Sequence, residues 1–310
     1  MIGSEKEMYQ LRTPRLTGRR IRGRGLSSAL FFVPAAVVLA GLVVYPMFQL
    51  LRMSVSDVTA TTLRNDWEFV GLSNYIEGFA NGAIEQAFLN TAFFVIVVGS
   101  LALLGGLVAA LSFRINTRIS ALVLAIMVFV WALPPVVNGS VWKFLLADSG
   151  LFNTLLSYVG VGPVPFLYNI DFALASVAFV TTWAAIPFNA LVFRAAILGV
   201  PQEVIEAARI DGVDRFQEVI HVIIPSIRPT MLVLSVLTTV YAFRSFDYIY
   251  VITFGGPGIA TNTLPFLGYL QAVVRFDFGL GAATSVVTVL LVASIAVLYG
   301  RSVRREESEN

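Results

Sequence analysis

Between the fourth and fifth apolar runs of the chain the sequence reads Gly199-Val200-Pro201-Gln202-Glu203-Val204-Ile205-Glu206-Ala207-Ala208-Arg209-Ile210-Asp211-Gly212. The segment is too polar to cross a bilayer and too ordered in pattern to be a plain loop. Pro201 suits the first position of a helix, where its missing N–H costs nothing. Glu203 and Glu206 fall near the positive end of the helix dipole, and Gly212 fits a left-handed C-terminal cap. Glu206 and Arg209, three residues apart, are expected to pair. Ala207 and Ala208 are small enough for another surface to approach the backbone. A second short helix is predicted over Arg215–Ile224, stopping at Pro225. An amphipathic linker on the membrane surface is the alternative. Such helices carry a basic face and bulky anchors, whereas this one is acidic and alanine-rich.

Outward from this segment the chain is dominated by apolar runs. It has 310 residues, 57% of them hydrophobic and 13% charged, and a mean hydropathy of +0.81. A soluble fold could not bury that much apolar surface. Six runs are long enough to span a bilayer: Leu26–Leu51, Phe88–Phe113, Ile119–Trp142, Phe172–Phe193, Thr230–Phe254 and Leu280–Gly300. The first is too long for a cleaved signal peptide and lacks a small-residue cleavage site. Basic residues sort to one side. Lys6, Arg12, Arg15, Arg19, Arg20, Arg22 and Arg24 precede the first run, Arg114 and Arg118 follow the second, and Arg194, Arg209, Arg215 and Arg228 follow the fourth. Arg301, Arg304 and Arg305 follow the sixth. The opposite side holds only Arg52, Arg64, Lys143 and Arg275. By the positive-inside rule both termini are expected in the cytoplasm. The outer connections are then Arg52–Ala87, Lys143–Asp171 and Gly255–Gly279, with a short interfacial helix expected in Ser149–Gly160. With no cysteine, disulfides and thiolate chemistry are excluded.

Three stretches carry a family resemblance. Glu206-Ala207-Ala208, Gly212 and Val222-Ile223-Ile224-Pro225 resemble the EAA signature of permease subunits in bacterial binding-protein-dependent ABC importers, with the spacing intact. Val222 replaces an isoleucine and Ile224 a leucine. Phe243–Pro257 is similar to the FDxIYxLTxGGP segment of the carbohydrate-uptake type, with Ile252 for the leucine; Thr261–Leu264 echoes its Thr-x-x-Leu. Phe69-Val70-Gly71-Leu72-Ser73-Asn74-Tyr75 resembles the first outer loop of the same group, which includes maltose, trehalose and glycerol-phosphate permeases.

The resemblance implies an all-α integral membrane protein with six transmembrane helices and the type I ABC importer permease fold. Together with the helix layout and the positive-inside rule, it divides the chain into a cytoplasmic basic tail (1–25), which lies outside the resemblance, a permease domain (26–300) with a coupling segment at about 199–225, and a cytoplasmic tail (301–310). It implies a second permease subunit, two ATPase subunits and an extracytoplasmic solute-binding protein as partners, in a bacterial plasma membrane. No GxxxxGK[ST] phosphate loop is present, so no cofactor is expected in this chain, ATP and magnesium belonging to the partner ATPases. The chain is then a transport subunit and not an enzyme, carrying a sugar or sugar-like solute. Nucleic acid is not an expected partner. Glu206, Ala207, Ala208, Asp211 and Gly212 would contact the ATPase, although Asp211 and Gly212 could merely form the turn.

Thr238, Tyr241 and Ser245 fall on one face of the fifth span and match the family's solute-lining face; Trp183 and Phe188 in the fourth span match positions along its solute path. Aromatic rings suit sugars, whose C–H faces pack on them. Packing between helices is the alternative for each of the five. Arg244 and Asp247 are expected to form an ion pair, or else Arg244 meets an anionic solute. His221 reads as a surface or packing residue. Pro134-Pro135 and Pro187 are expected to kink or end helices. An intramembrane enzyme is disfavoured, because the spans hold almost no carboxylates and the one histidine lies in a connection. A secondary transporter or channel is the rival class, but it often carries inverted repeats or intramembrane acids, and the sequence has no evident repeat.

Overall fold

A computed structural model describes residues 25–115 and 117–309. The basic tail expected over 1–25 lies outside the described residues except for Gly25, as do the side chains of 301–310. The chain divides into two units, Met1–Phe48 and Gln49–Asn310. The first contains most of helix α1 (Gly25–Ser54). Its apolar side chains are exposed, Phe32 by 73% and Leu42 by 70%, the pattern of a helix solvated by lipid.

The second unit opens with a small antiparallel pairing of β1 (Ser56–Asp57) and β2 (Glu68–Phe69), followed by α2 (Ser73–Ala80) and α3 (Ala83–Ser112). The third predicted span, Ile119–Trp142, is sharply bent: α4 (Arg118–Ala132) and α5 (Pro135–Leu145) meet at 103°. Two prolines in a row account for the break. Each pushes the residue before it out of the helical region, and Leu133 and Pro134 are extended, with ψ of 134° and 136°. The interfacial helix expected in Ser149–Gly160 is α6 (Leu151–Ser157). Helix α7 (Ile170–Leu198) continues through Pro187 without ending. Among the described residues, five helices are long and apolar enough to cross a membrane, six if the bent pair is one span.

After α7 come α8 (Gln202–Ile210) and α9 (Arg215–Glu218). The helix does not stop at Pro225 as expected. It widens into a π turn over Val219–Ile223 and continues as α10 (Ile224–Ser226). A proline ring clashes with the carbonyl four residues back and offers no N–H to it. The wider turn, in which Ile224 N–H donates to the Val219 carbonyl, accommodates both defects. The fifth span is α11 (Arg228–Arg244) and α12 (Phe246–Ile252), interrupted at Ser245. The connection Gly255–Gly279 is not only loop. It contains α13 (Leu264–Tyr269), which runs on as a π turn over Leu270–Val274, and the last span is α14 (Phe278–Glu309).

The scaffold is the pairing of α3 with α7. Their backbones meet at Gly105 and Gly106, where a Cβ on Gly106 would lie 2.5 Å from Asn189 Cβ and 3.0 Å from the Ala190 backbone nitrogen. With no hydrophobic drive between helices in lipid, close approach at small residues supplies the packing energy. Phe94, Val98, Val177, Val180 and Ala184 continue this core toward Trp142 of α5 and Ile249 of α12. Polar anchors hold the Gly-Gly-Pro loop to α3. Asn90 donates to the carbonyls of Ile259 and Asn262 (3.2 and 2.9 Å), and Leu264 N–H donates to Thr91 Oγ1.

Candidate functional site

Helix α8 starts after Pro201, which stands just outside it as the capping residue rather than inside as its first. Its end is a Schellman motif. Gly212 N–H donates to the Arg209 carbonyl and Val213 N–H to the Ala208 carbonyl, both 3.1 Å, with Gly212 at φ +84°. The anchor of α8 is Ile205, 8% exposed. Glu206, Ala207, Asp211 and Gly212 are exposed and Ala208 is half-buried. The sequence reading missed two apolar members of this surface, Ile210 and Phe216, exposed by 85% and 72%. Two isolated apolar residues in a polar segment give no periodic signal.

Glu206 and Arg209 do not form an ion pair. Glu206 accepts from Gln202 Nε2 at 3.2 Å, while Arg209 turns to Glu218, donating from Nε at 2.8 Å and from Nη2 at 3.3 Å. Glu218 also accepts from Arg114 Nη1 at 2.7 Å. These are the two ion pairs among the described residues. Glu218 is 1% exposed, so its charge needs both partners. The hydrogen bond from Arg209 is the first cause holding its carboxyl below the usual range, and Arg114 adds to it against the opposing effect of burial. Glu218 escaped the sequence reading because its partners lie 104 and 9 residues away. His221 is exposed, its Nδ1 3.2 Å from the Gln217 carbonyl.

The five solute-path candidates divide. Phe188, Thr238 and Tyr241 line one cleft of about 260 Å³ with Trp131, Ala185, Asn189 and Leu237. Phe188 stacks on Trp131 at 5.7 Å, and Thr238 donates to Asn189 Oδ1 at 2.8 Å. Tyr241 also borders a second cleft with Ser245, Arg244 and Asp247. Ser245 donates to the Tyr241 carbonyl at 2.9 Å and is otherwise buried at the helix break. Trp183 lies apart, packed edge-on against Trp142 at 5.1 Å. The expected ion pair between Arg244 and Asp247 is absent. The backbone leaves the helical region at Ser245 (φ −73°, ψ 62°), so the two residues lose the three-residue spacing that would bring them together.

This is the architecture of an importer permease, and comparison with known proteins agrees. The family described as "binding-protein-dependent transport system inner membrane component" matches residues 102–308. The chain is 32% identical to the trehalose/maltose transport system permease protein MalF of Thermococcus litoralis, covering 87% of this chain and 91% of that one. It is 31% identical to the sn-glycerol-3-phosphate transport system permease protein UgpA of Yersinia pestis (89% and 94%) and 27% identical to the sulfoquinovosyl glycerol transport system permease protein SmoG of Agrobacterium fabrum (95% and 96%). A chain of a bacterial ABC transporter involved in importing the acidic polysaccharide alginate superimposes with a TM-score of 0.78 at 19% identity, covering 91% and 96%. The chain belongs to the binding-protein-dependent permease family. It is an inner-membrane permease subunit of an ABC importer, a transport component rather than an enzyme.

Proposed function

We propose that this subunit carries a sugar or sugar-like solute into the cell, driven by separate ATPase subunits through α8. The observation that carries the reading is the surface of α8. Glu206, Ala207, Asp211 and Ile210 are exposed on a short helix anchored by Ile205, which suits a protein partner better than lipid. Glu206 offers a charge, Ala207 and Ala208 permit close approach, Gly212 ends the helix sharply, and Ile210 supplies apolar area. ATP and magnesium are held by two partner ATPases. A second permease completes the pathway, and an extracytoplasmic binding protein delivers solute. Both termini and the coupling segment, about 199–225 within the permease domain 26–300, face the cytoplasm, in line with the placement of arginines. The cleft of Phe188, Thr238 and Tyr241, ringed by Trp131, is the best candidate for solute contact, because it pairs aromatic faces with hydroxyls. Trp183 and Ser245 act through packing and the helix break.

The test is a photo-crosslinking amino acid at Ile210 in the assembled transporter. The reading predicts a light-dependent adduct with the ATPase. Adducts with lipid alone would overturn it.

A further inference from the structure

Arg114 begins the connection after α3, Arg209 sits on α8, and Glu218 ends α9. Both arginines converge on one carboxylate that is 1% exposed, at 2.7 and 2.8 Å. At the same corner Arg194 of α7 donates from Nε to the Phe113 carbonyl at 2.9 Å, capping the end of α3. A lone surface ion pair contributes little. A buried carboxylate between two guanidinium groups behaves differently, because removing one partner leaves a charge uncompensated. The cluster therefore ties α8 to the end of α3, and through Arg194 to α7, the two helices that form the scaffold. Without it, α8 is held by its buried Ile205 and by its chain junctions, Val200–Pro201 on one side and Gly212, at φ +84°, on the other.

We propose that Glu218 is a positioning residue that makes α8 and the α3–α7 scaffold one rigid lever, so that displacement of α8 reaches the spans instead of being absorbed in the loops. The proposal rests on the reading of α8 as the ATPase contact. Its structural half does not, since the tie lies wholly within this chain.

The chain has no cysteine, so two engineered ones can be labelled uniquely in this chain before it is assembled with its partners. Spin labels at Gln202→Cys and Ile115→Cys report the distance between α8 and the end of α3 by pulsed EPR in the assembled, nucleotide-free transporter. Parallel samples in liposomes give solute molecules moved per ATP hydrolysed. Wild type should show one narrow distance. Glu218→Gln should broaden it and lower transport per ATP by roughly five- to tenfold, with Glu218→Asp restoring most of both. Arg114→Gln, which cuts only the tie to α3, should do the same and decides the matter should Glu218→Gln fail to fold. A distance that stays narrow in a folded variant, or an unchanged yield per ATP, overturns the proposal. Loss of the docking reading alone would look different: wild-type uptake independent of ATP, with the distance still sensitive to Glu218.

Discussion

Gly212 is held at φ +84° with open space where its Cβ would be. The constraint there is conformational, since a left-handed L-residue costs roughly 1–2 kcal/mol. Gly212→Val should therefore unravel the end of α8 while leaving the spans folded. The measurement is thermal denaturation in detergent beside uptake, with unchanged melting and lost uptake as the expected pair. Glu218 makes a pH prediction. Its carboxyl is depressed in the fold, so its contribution to stability is complete above the ordinary value of 4.5 and is lost as the pH falls through the lower, folded value. Wild type should then outlast Glu218→Gln at neutral pH, and the gap should narrow in scans below about pH 4.5. Thr238 is engaged with Asn189 in the fold. Thr238→Val should lower stability by about 1 kcal/mol or less and raise the solute KM, and Tyr241→Ala, in the same cleft, should raise KM further.

At the scale of elements, the α3–α7 contact leaves no room for a side chain at Gly106. Gly106→Leu would drive a side chain into Asn189 and the Ala190 backbone. Overpacking of this kind costs about 1–3 kcal/mol, which should appear as a lowered melting temperature and reduced yield of assembled transporter. Much of this level was legible in the sequence. The C-terminal cap of α8 at Gly212 was, being a local signal, while the start was read one residue early, with Pro201 inside the helix instead of capping it. The bend at Pro134-Pro135 was also legible, because proline acts on its own neighbours. The break at Ser245 was not, as serine is ordinary in helices and neither proline nor glycine marks the turn from α11 to α12. Helix α13 was hidden for a related reason. Leu264–Val274 is apolar but shorter than a span, and its Gln271 finds its partner only in the fold, accepting from Thr284 at 2.6 Å.

At the scale of the molecule, composition alone gave the membrane class, while tertiary ties such as Arg114–Glu218–Arg209 lay beyond any local pattern. The proposed sidedness rests on the placement of the arginines and is directly testable on a cysteine-free chain. Ile210→Cys should react with a membrane-impermeant maleimide only after the cytoplasmic face is opened, and Tyr158→Cys, exposed by 82%, should react from outside. A separate ATPase on the cytoplasmic side is proposed to drive this subunit through α8. The most direct test is uptake of a panel of labelled sugars into liposomes holding this chain with its partner permease and ATPase, comparing wild type with Glu206→Ala/Gly212→Val. The expected result is uptake that needs both ATP and the binding protein and that collapses in the double variant. Uptake that proceeds without the ATPase and ignores the double variant would contradict it.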